Sequence, residues 1–218
     1  MTFEILQVNG RNGVVTGRED GTKVQYAFEV RDSNRSNVRL QESRLQDVLV
    51  LYGALLDRTI LCHPALKQSA VSLEFLTRDK NAAAIALRRA LNKRGITTLS
   101  VADKFEAVFP ADQARAAKSA IVAFQSATGP QSNQPIPSGM LQLRGLDLPQ
   151  ALDLYGELVG RNLIQGDRLA GSPIFLISQT RLSRAEVVFA FDVLFSWQRL
   201  KVVFVGENAF RVVPMYSP

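Results

Sequence analysis

Cys62 and His63 stand side by side, and they are the chain's one cysteine and one histidine. A thiol next to an imidazole is the raw material of a thiolate nucleophile or of a metal-ligand pair. Adjacency works against both. Neighbouring side chains at a strand end point to opposite faces, so the two groups do not converge. His63 precedes Pro64, and the pair reads as a strand running out into a surface turn. Glu19 and Asp20 are two carboxylates in a predicted turn, where solvation keeps them ordinary acids. No G-x-S-x-G elbow and no G-x-x-x-x-G-K-[ST] or G-x-G-x-x-G phosphate loop occurs, and residues 10–13 read as a turn. These residues predict no enzyme, no metal and no cofactor. A lone cysteine also excludes an intramolecular disulfide.

Lysine and arginine outnumber the acidic residues, 26 to 20, and the resulting net charge of +6 raises the question of nucleic acid. The basic residues are spread along the chain, however. Their densest cluster, Arg88, Arg89, Lys93 and Arg94, falls on one predicted helix and fits its solvated face. A hydrophobic content of 46% describes a globular chain, not a disordered one. No run approaches the ~20 apolar residues a membrane-spanning helix needs. The start, MTFEILQVNGRNG, has neither a basic n-region nor an apolar h-region, so no signal peptide is expected in it. The chain then reads as cytoplasmic, or as a mature or trimmed form with a new initiator Met.

The second half of the sequence repeats the first. At an offset of 103 positions Leu51-Tyr52-Gly53 falls on Leu154-Tyr155-Gly156. Leu45, Leu49, Leu55 and Arg58 fall on Leu148, Leu152, Leu158 and Arg161, and Leu66, Ser69 and Leu73 on Leu169, Ser172 and Leu176. Thr77-Arg78 meets Thr180-Arg181. The register runs without a gap to about residue 94, after which a slip of one residue brings Val101, Val108 and Pro110 onto Val205, Val212 and Pro214. A duplicated unit more often binds or spaces partners than carries out chemistry.

Each repeat reads as β-α-β-β-α-β-β. A strand (38–40, 141–143) leads into a helix whose apolar stripe includes Tyr52 in one copy and Tyr155 in the other. Ser43 with Gln46, Asp147 with Gln150 and Ser183 with Glu186 have capping-box spacing, and Gly160 is a natural helix stop. Strands at 59–62 and 71–75, a helix at 81–93 and a hairpin from 96 to 109 complete the first copy. Strands at 162–165 and 174–178, a helix at 184–196 and a hairpin from 200 to 213 complete the second. Before the repeats, residues 1–36 alternate like a small β-hairpin or meander, with turns at Asn9-Gly10, Asn12-Gly13 and Glu19-Asp20-Gly21. Between them, residues 112–127 read as helical and 128–139, with three prolines, as an extended linker. The expected fold is α+β: a β segment (1–36), a first module (37–110), a helix and linker (111–139) and a second module (140–218), the modules behaving as hinged beads. Tyr52 and Tyr155 are expected in the core. Trp197 is expected to close a helix-to-sheet core, and Phe189 and Phe191, two apart on one helix, to face different ways.

Asp147-Leu148 through Gly160-Arg161-Asn162-Leu163-Ile164, then Ile174-Phe175-Leu176, Thr180-Arg181-Leu182-Ser183-Arg184-Ala185-Glu186 and Phe210-Arg211-Val212-Val213-Pro214, follow one recognisable pattern. It resembles the short domain at the N-terminus of secretins and of TonB-dependent receptors; the first copy matches more loosely around Asp79-Lys80-Asn81-Ala82. In tandem, the arrangement looks like the periplasmic arm of a type II secretion secretin. The resemblance implies a docking module of a protein-export channel, periplasmic and part of an outer-membrane-associated assembly. Its implied partners are further copies in a ring, inner-membrane components of the secretion system and exported proteins, with no nucleic acid. It further implies contact through exposed sheet edges, for which Val38 and Leu40, and Leu141 and Leu143, are the candidates. The alternative is a basic nucleic-acid-binding protein of two KH-like modules; against it, neither repeat has the G-x-x-G loop that clamps phosphates.

Overall fold

A computed structural model describes residues 3–6, 12–19, 22–32, 35–66, 70–77, 79–125, 135–136, 141–164, 169 and 171–215. In chain order the elements are β1 (Phe3–Leu6), β2 (Asn12–Glu19), β3 (Thr22–Asp32), β4 (Arg35–Arg44), α1 (Leu45–Leu56), β5 (Thr59–Cys62), β6 (Ala70–Thr77) and α2 (Lys80–Lys93). Strands β7 (Ile96–Val101) and β8 (Phe105–Pro110), a 3-10 turn (Ala111–Gln113), α3 (Ala114–Gln125) and β9 (Pro135–Ile136) follow. The chain continues through β10 (Gln142–Leu146), α4 (Leu148–Val159), β11 (Asn162–Leu163), β12 (Ile174–Ile177) and β13 (Leu182–Ser183). It ends with α5 (Arg184–Trp197), β14 (Leu200–Val205) and β15 (Ala209–Pro214). The protein is therefore mixed α+β. It divides into two compact units, one of Met1–Leu56 with Gln68–Arg94, the other of Asp57–Lys67 with Gly95–Pro218.

The first unit is a five-stranded antiparallel sheet in the order β1-β2-β3-β4-β6, with α1 packed on β4 and β6, α2 on β6, and the two helices on each other. Asn12-Gly13, expected as a turn, lies inside β2, where Asn12 pairs with Glu29 and Gly13 with Phe28; the long β3 partner holds it extended. The other two expected turns include residues outside those described. In α1, Leu45, Val48, Leu49 and Tyr52 are buried at the three- and four-residue spacing of one helix face. The capping box expected at Ser43 does not form. Ser43 belongs to β4, and its hydroxyl donates to the Gln41 carbonyl at 3.4 Å while Arg44 reaches Asp47 at 3.0 Å. Asp79 caps α2 by accepting from the Ala82 amide at 2.8 Å.

In the second unit, α5 is buried along most of its length, from Val187 to Trp197, as the apolar sequence VVFAFDVLFSW leads one to expect of a central helix. Ser183 and Glu186 form a full capping box at its start, and Asp147 caps α4, which Gly160 ends in the left-handed conformation. Trp197 stacks beside His63, centroids 5.0 Å apart, and its Nε1–H donates to the Ala117 carbonyl of α3 at 3.3 Å. Phe191 packs edge-on to Tyr155, whereas Phe189 packs against Phe105 of β8, 5.6 Å between centroids. The two phenylalanines thus serve different neighbours, and both are buried.

Strand registers recur between the repeats. Ile96 faces Pro110 and Val101 faces Phe105 in the β7–β8 hairpin; Leu200 faces Pro214 and Val205 faces Ala209 in β14–β15. Thr59 pairs in parallel with Phe105, and Asn162 in parallel with Ala209. Arg58 Nη1 donates to the Ala102 carbonyl at 3.2 Å, and Arg161 Nη1 to the Gly206 carbonyl at 2.6 Å. Even the positive φ angles recur, at Gly95 and Arg199 and at Ala102 and Gly206. The one-residue slip comes earlier than the sequence suggests. Leu40 faces Leu73 and Leu143 faces Leu176, still at the offset of 103, but the helix caps Asp79 and Ser183 are already 104 apart. The extra residue is Leu182, fully buried and paired with Ile136 in the small β13–β9 ladder.

Independent beads at 37–110 and 140–218 do not describe this architecture. One five-stranded sheet has the order β10-β12-β5-β8-β7, so three strands of the first repeat share it with two of the second. Leu61 faces Leu176 and Ile60 faces Ile177 across that junction, and all four are buried. An apolar strand such as β5, with a bare edge, gains ladder hydrogen bonds and burial by taking β12 as neighbour. The remaining three-stranded sheet is β11-β15-β14. Helix α3, which forms in the expected 112–127 stretch, buries Ala117 and Ile121 in the same core. Most of the proline-containing linker lies outside the described residues.

Candidate docking edges

The two strands expected as free edges differ in position. Val38 and Leu40 lie on β4, which is an interior strand: Val38 is opposite Phe28 on one side and Phe75 on the other. The β1–β3 meander supplies the extra neighbour at Val38, which is corrected from edge to interior; the β3–β4 ladder ends there, and Leu40 is paired with Leu73 on its β6 side. Strand β10 does end its sheet, with Leu143 facing Leu176 and the Leu141 carbonyl accepting from the Ser178 amide at 3.0 Å. Leu141 and Leu143 are half-buried against the core. Gly145, at φ 85°, sits in a register shift between Arg144 and Leu146. A bulge of this kind bends an edge strand and breaks its row of donors and acceptors, which blunts it for strand addition.

A second edge was not singled out from the sequence. Strand β11 ends the three-stranded sheet, parallel to β15. The Asn162 and Ile164 amides donate to the Asn208 and Phe210 carbonyls of the β15 hairpin at 2.9 and 2.8 Å. Alternation along an extended chain turns the Leu163 N–H the other way, outward from the sheet. Ile164 is 45% exposed, although its counterpart in the first repeat, Leu61, is 0% exposed. A cleft of about 360 Å³ lies alongside, lined by Leu152, Gly156, Glu157, Gly160, Arg161 and Asn162 among others. Arg161 is fixed at its rim, with its guanidinium 4.6 Å from the Phe204 ring centroid and bonded to the Gly206 carbonyl. The signal in the sequence was present but weak: Leu163-Ile164 is as apolar as Ile60-Leu61, and only the structure shows which of the two pairs is covered.

His63 is not a surface turn residue. It is 5% exposed, held by Trp197 on one face and by an Ala65 amide that donates to Nδ1 at 3.1 Å. Burial pushes its pKa down from 6.5 to about 4, against the pull of Asp112. Burial also pushes the Cys62 thiol up to about 12. At neutral pH the thiol is therefore protonated and the imidazole neutral, an arrangement without a thiolate nucleophile. Among the described residues no group of three or more His, Cys, Asp and Glu side chains is placed to hold a metal ion. Among them, too, no helix is long and apolar enough to cross a membrane. No protein-family model matches the chain, and neither does any curated protein or solved structure.

Proposed function

We propose that this protein is a docking and assembly module of a secretin-like protein-export channel, built from two copies of the secretin and TonB-receptor short domain. It works in the periplasm by strand addition between modules and by self-association into a ring, not by catalysis. Its partners are further copies of itself, inner-membrane components of the secretion system and the exported proteins. One observation carries the reading: the β7–β8 and β14–β15 registers, the arginine-to-turn bonds and the parallel β5–β8 and β11–β15 pairs recur at offsets of 103 and 104, and β10 and β12 of the second repeat extend the β5-β8-β7 sheet of the first. That is a unit made to add strands to its neighbour.

The test is fractionation of the native cell carrying a chromosomally tagged full-length gene. The tagged protein is expected to co-sediment with the outer membrane and to run as a high-mass band on gels without boiling. A monomer confined to the cytosol would sink the proposal. The rival reading, two KH-like modules on nucleic acid, draws on the net charge of +6. It requires binding to single-stranded oligonucleotides that weakens steeply with salt. Two members of its basic cluster are already engaged within the fold: Arg88 Nε donates to the Tyr52 hydroxyl and Arg94 to the Ala70 carbonyl.

A further inference from the structure

Each repeat contributes a hairpin, β4–β6 or β10–β12, and a three-stranded sheet, β5-β8-β7 or β11-β15-β14. The hairpin of the second repeat is seated on the sheet of the first through β12 and β5, with Leu176 opposite Leu61 and Ile177 opposite Ile60. Two equivalent edges are left over among the described residues. Strand β6, which corresponds to β12, ends the sheet of the first unit, and β11, which corresponds to β5, ends the sheet of the second repeat. One is a donor edge without an acceptor, the other an acceptor without a donor.

Burial follows the same division. Leu61 and Leu176, which face each other across the seated junction, are both 0% exposed. Their counterparts are less covered: Ile164 is 45% exposed, and Leu73 on β6 is half-buried. Leu163, the counterpart of the buried Ile60, is half-buried as well. Three of the four register positions thus carry aliphatic side chains in both repeats, dry where the partner strand is present and wetter where it is not; at the fourth, the exposed Glu74 stands where Ile177 is buried. Edges β7 and β14 differ, because both repeats leave them without a further strand and neither supplies a precedent.

We propose that β11 of one copy of this chain accepts β6 of a second copy, antiparallel and head to tail. Transposing the β5–β12 register by the repeat offset places Leu73 opposite Ile164 and Glu74 opposite Leu163. The outward Leu163 N–H then gains a carbonyl partner, and Ile164 gains the cover that Leu61 has. Donor and acceptor are different surfaces, so the contact is heterologous. Each dimer still offers one free edge of each kind, and the series closes into a ring or continues as a filament. The inference deepens the self-assembly part of the function proposed above and takes its geometry from the repeat.

Disulfide trapping tests it on the full chain. Cys62 is buried, with its thiol pKa raised to about 12, so oxidation reports introduced cysteines. Leu73→Cys protein carrying one tag is mixed with Ile164→Cys protein carrying another, at the highest soluble concentration, and oxidised. A disulfide-linked heterodimer is expected from the mixture, and no dimer from either protein alone. The double variant is expected to give a ladder of multimers. Glu74→Cys with Leu163→Cys, the adjacent register position, should also link, and Leu73→Cys with Leu163→Cys should not. Circular dichroism confirms that each variant is folded, and the two independent pairs guard against one that is not. Absence of the heterodimer with both pairs overturns the inference. So does efficient dimerisation of Ile164→Cys alone, which would mean β11 pairs with β11, and so does a double variant that closes only on itself. Failure here with an outer-membrane multimer in the cell removes this edge but leaves the channel. A ladder here with a cytosolic protein leaves the assembly and removes the channel.

Discussion

Tyr52 and Tyr155 occupy the same place on α1 and α4, both fully buried, and each sends its hydroxyl to the next long helix. The partners carry opposite charge. Arg88 Nε donates to the Tyr52 oxygen at 3.0 Å, whereas the Tyr155 hydroxyl donates to Asp192 Oδ1 at 2.9 Å. Arg88 and Asp192 are themselves equivalent positions, 104 apart, so the duplicated tyrosine has kept its bond while the partner changed sign. Burial pushes the Asp192 carboxyl up from 3.8 to about 6, although the Tyr155 bond pulls the other way. A folded-state pKa above the unfolded one favours the protonated fold, so this contribution is full below about pH 3.8 and is lost as pH rises through 6. Asp192→Asn keeps a hydrogen-bond acceptor and removes the charge. Its stability relative to wild type is expected to improve between pH 4 and 7.5, by up to about 3 kcal/mol, in urea unfolding at the two pH values. His63 has the opposite slope. Its folded pKa near 4 lies below 6.5, so the neutral ring's contribution is full above about 6.5 and is lost as pH falls toward 4. His63→Gln should therefore flatten the acid limb of the wild-type stability curve over that window; an unchanged limb would mean that His63 does not titrate there. Neither group could be located from the sequence. Pro64 after His63 suggests a turn at the surface, and the ring that buries the imidazole belongs to Trp197, 134 positions away.

At the scale of elements, what the sequence conveys is local. Asp147 and Ser183 cap their helices, Gly160 ends α4, and α3 forms where alanine predominates. These features depend on neighbours within about four residues, the reach of capping and helical periodicity. Ser43 fails for a reason of the same scale plus one: β4 pairs with β6 as far as Arg44, and the ladder claims the serine before the helix can. Gly156 is a case in which a residue type has a geometric cause. A Cβ there would lie 2.9 Å from the Arg161 carbonyl oxygen and 3.3 Å from the Phe210 ring, because the chain turns back from α4 into β11 against that helix face. The Arg161 amide donates to the Gly156 carbonyl in the same turn, at 3.0 Å, so the backbone has little room to give. Gly156→Ala is expected to cost about 2 kcal/mol from overpacking. Gly160→Ala, whose Cβ meets nothing within 4 Å, should cost about 1 kcal/mol for its left-handed conformation alone. Urea midpoints of the two variants give the order, and the reverse order would show that the α4–β11 approach relaxes freely.

At the scale of the whole chain, the repeat was legible and the way its parts are shared was not. Offsets of 103 and 104 follow from matching residues along the sequence, but the pairing of β12 with β5 joins positions more than 110 apart. Strand alternation specifies which face is buried, not which edge meets which. The consequence is testable by cutting at the border that the repeat suggests. A fragment of residues 111–218 keeps all of the second module by sequence. It loses β5, the neighbour of β12, and with it Leu61 opposite Leu176. It loses Phe105, which covers Phe189, and Phe109 and His63, which cover Trp197. Large apolar rings and a central strand edge would then face water in a core already small for its size. The fragment is expected to bind a hydrophobic dye and to melt broadly, without the cooperative transition of the full chain, when followed by circular dichroism. Adding a synthetic peptide of residues 57–67 should not restore it, since β7 and β8 are still missing and β5 needs β8 as its parallel partner. A fragment that unfolds sharply at the full-chain midpoint would make the shared sheet an accessory contact and return the repeats to the status of separate beads.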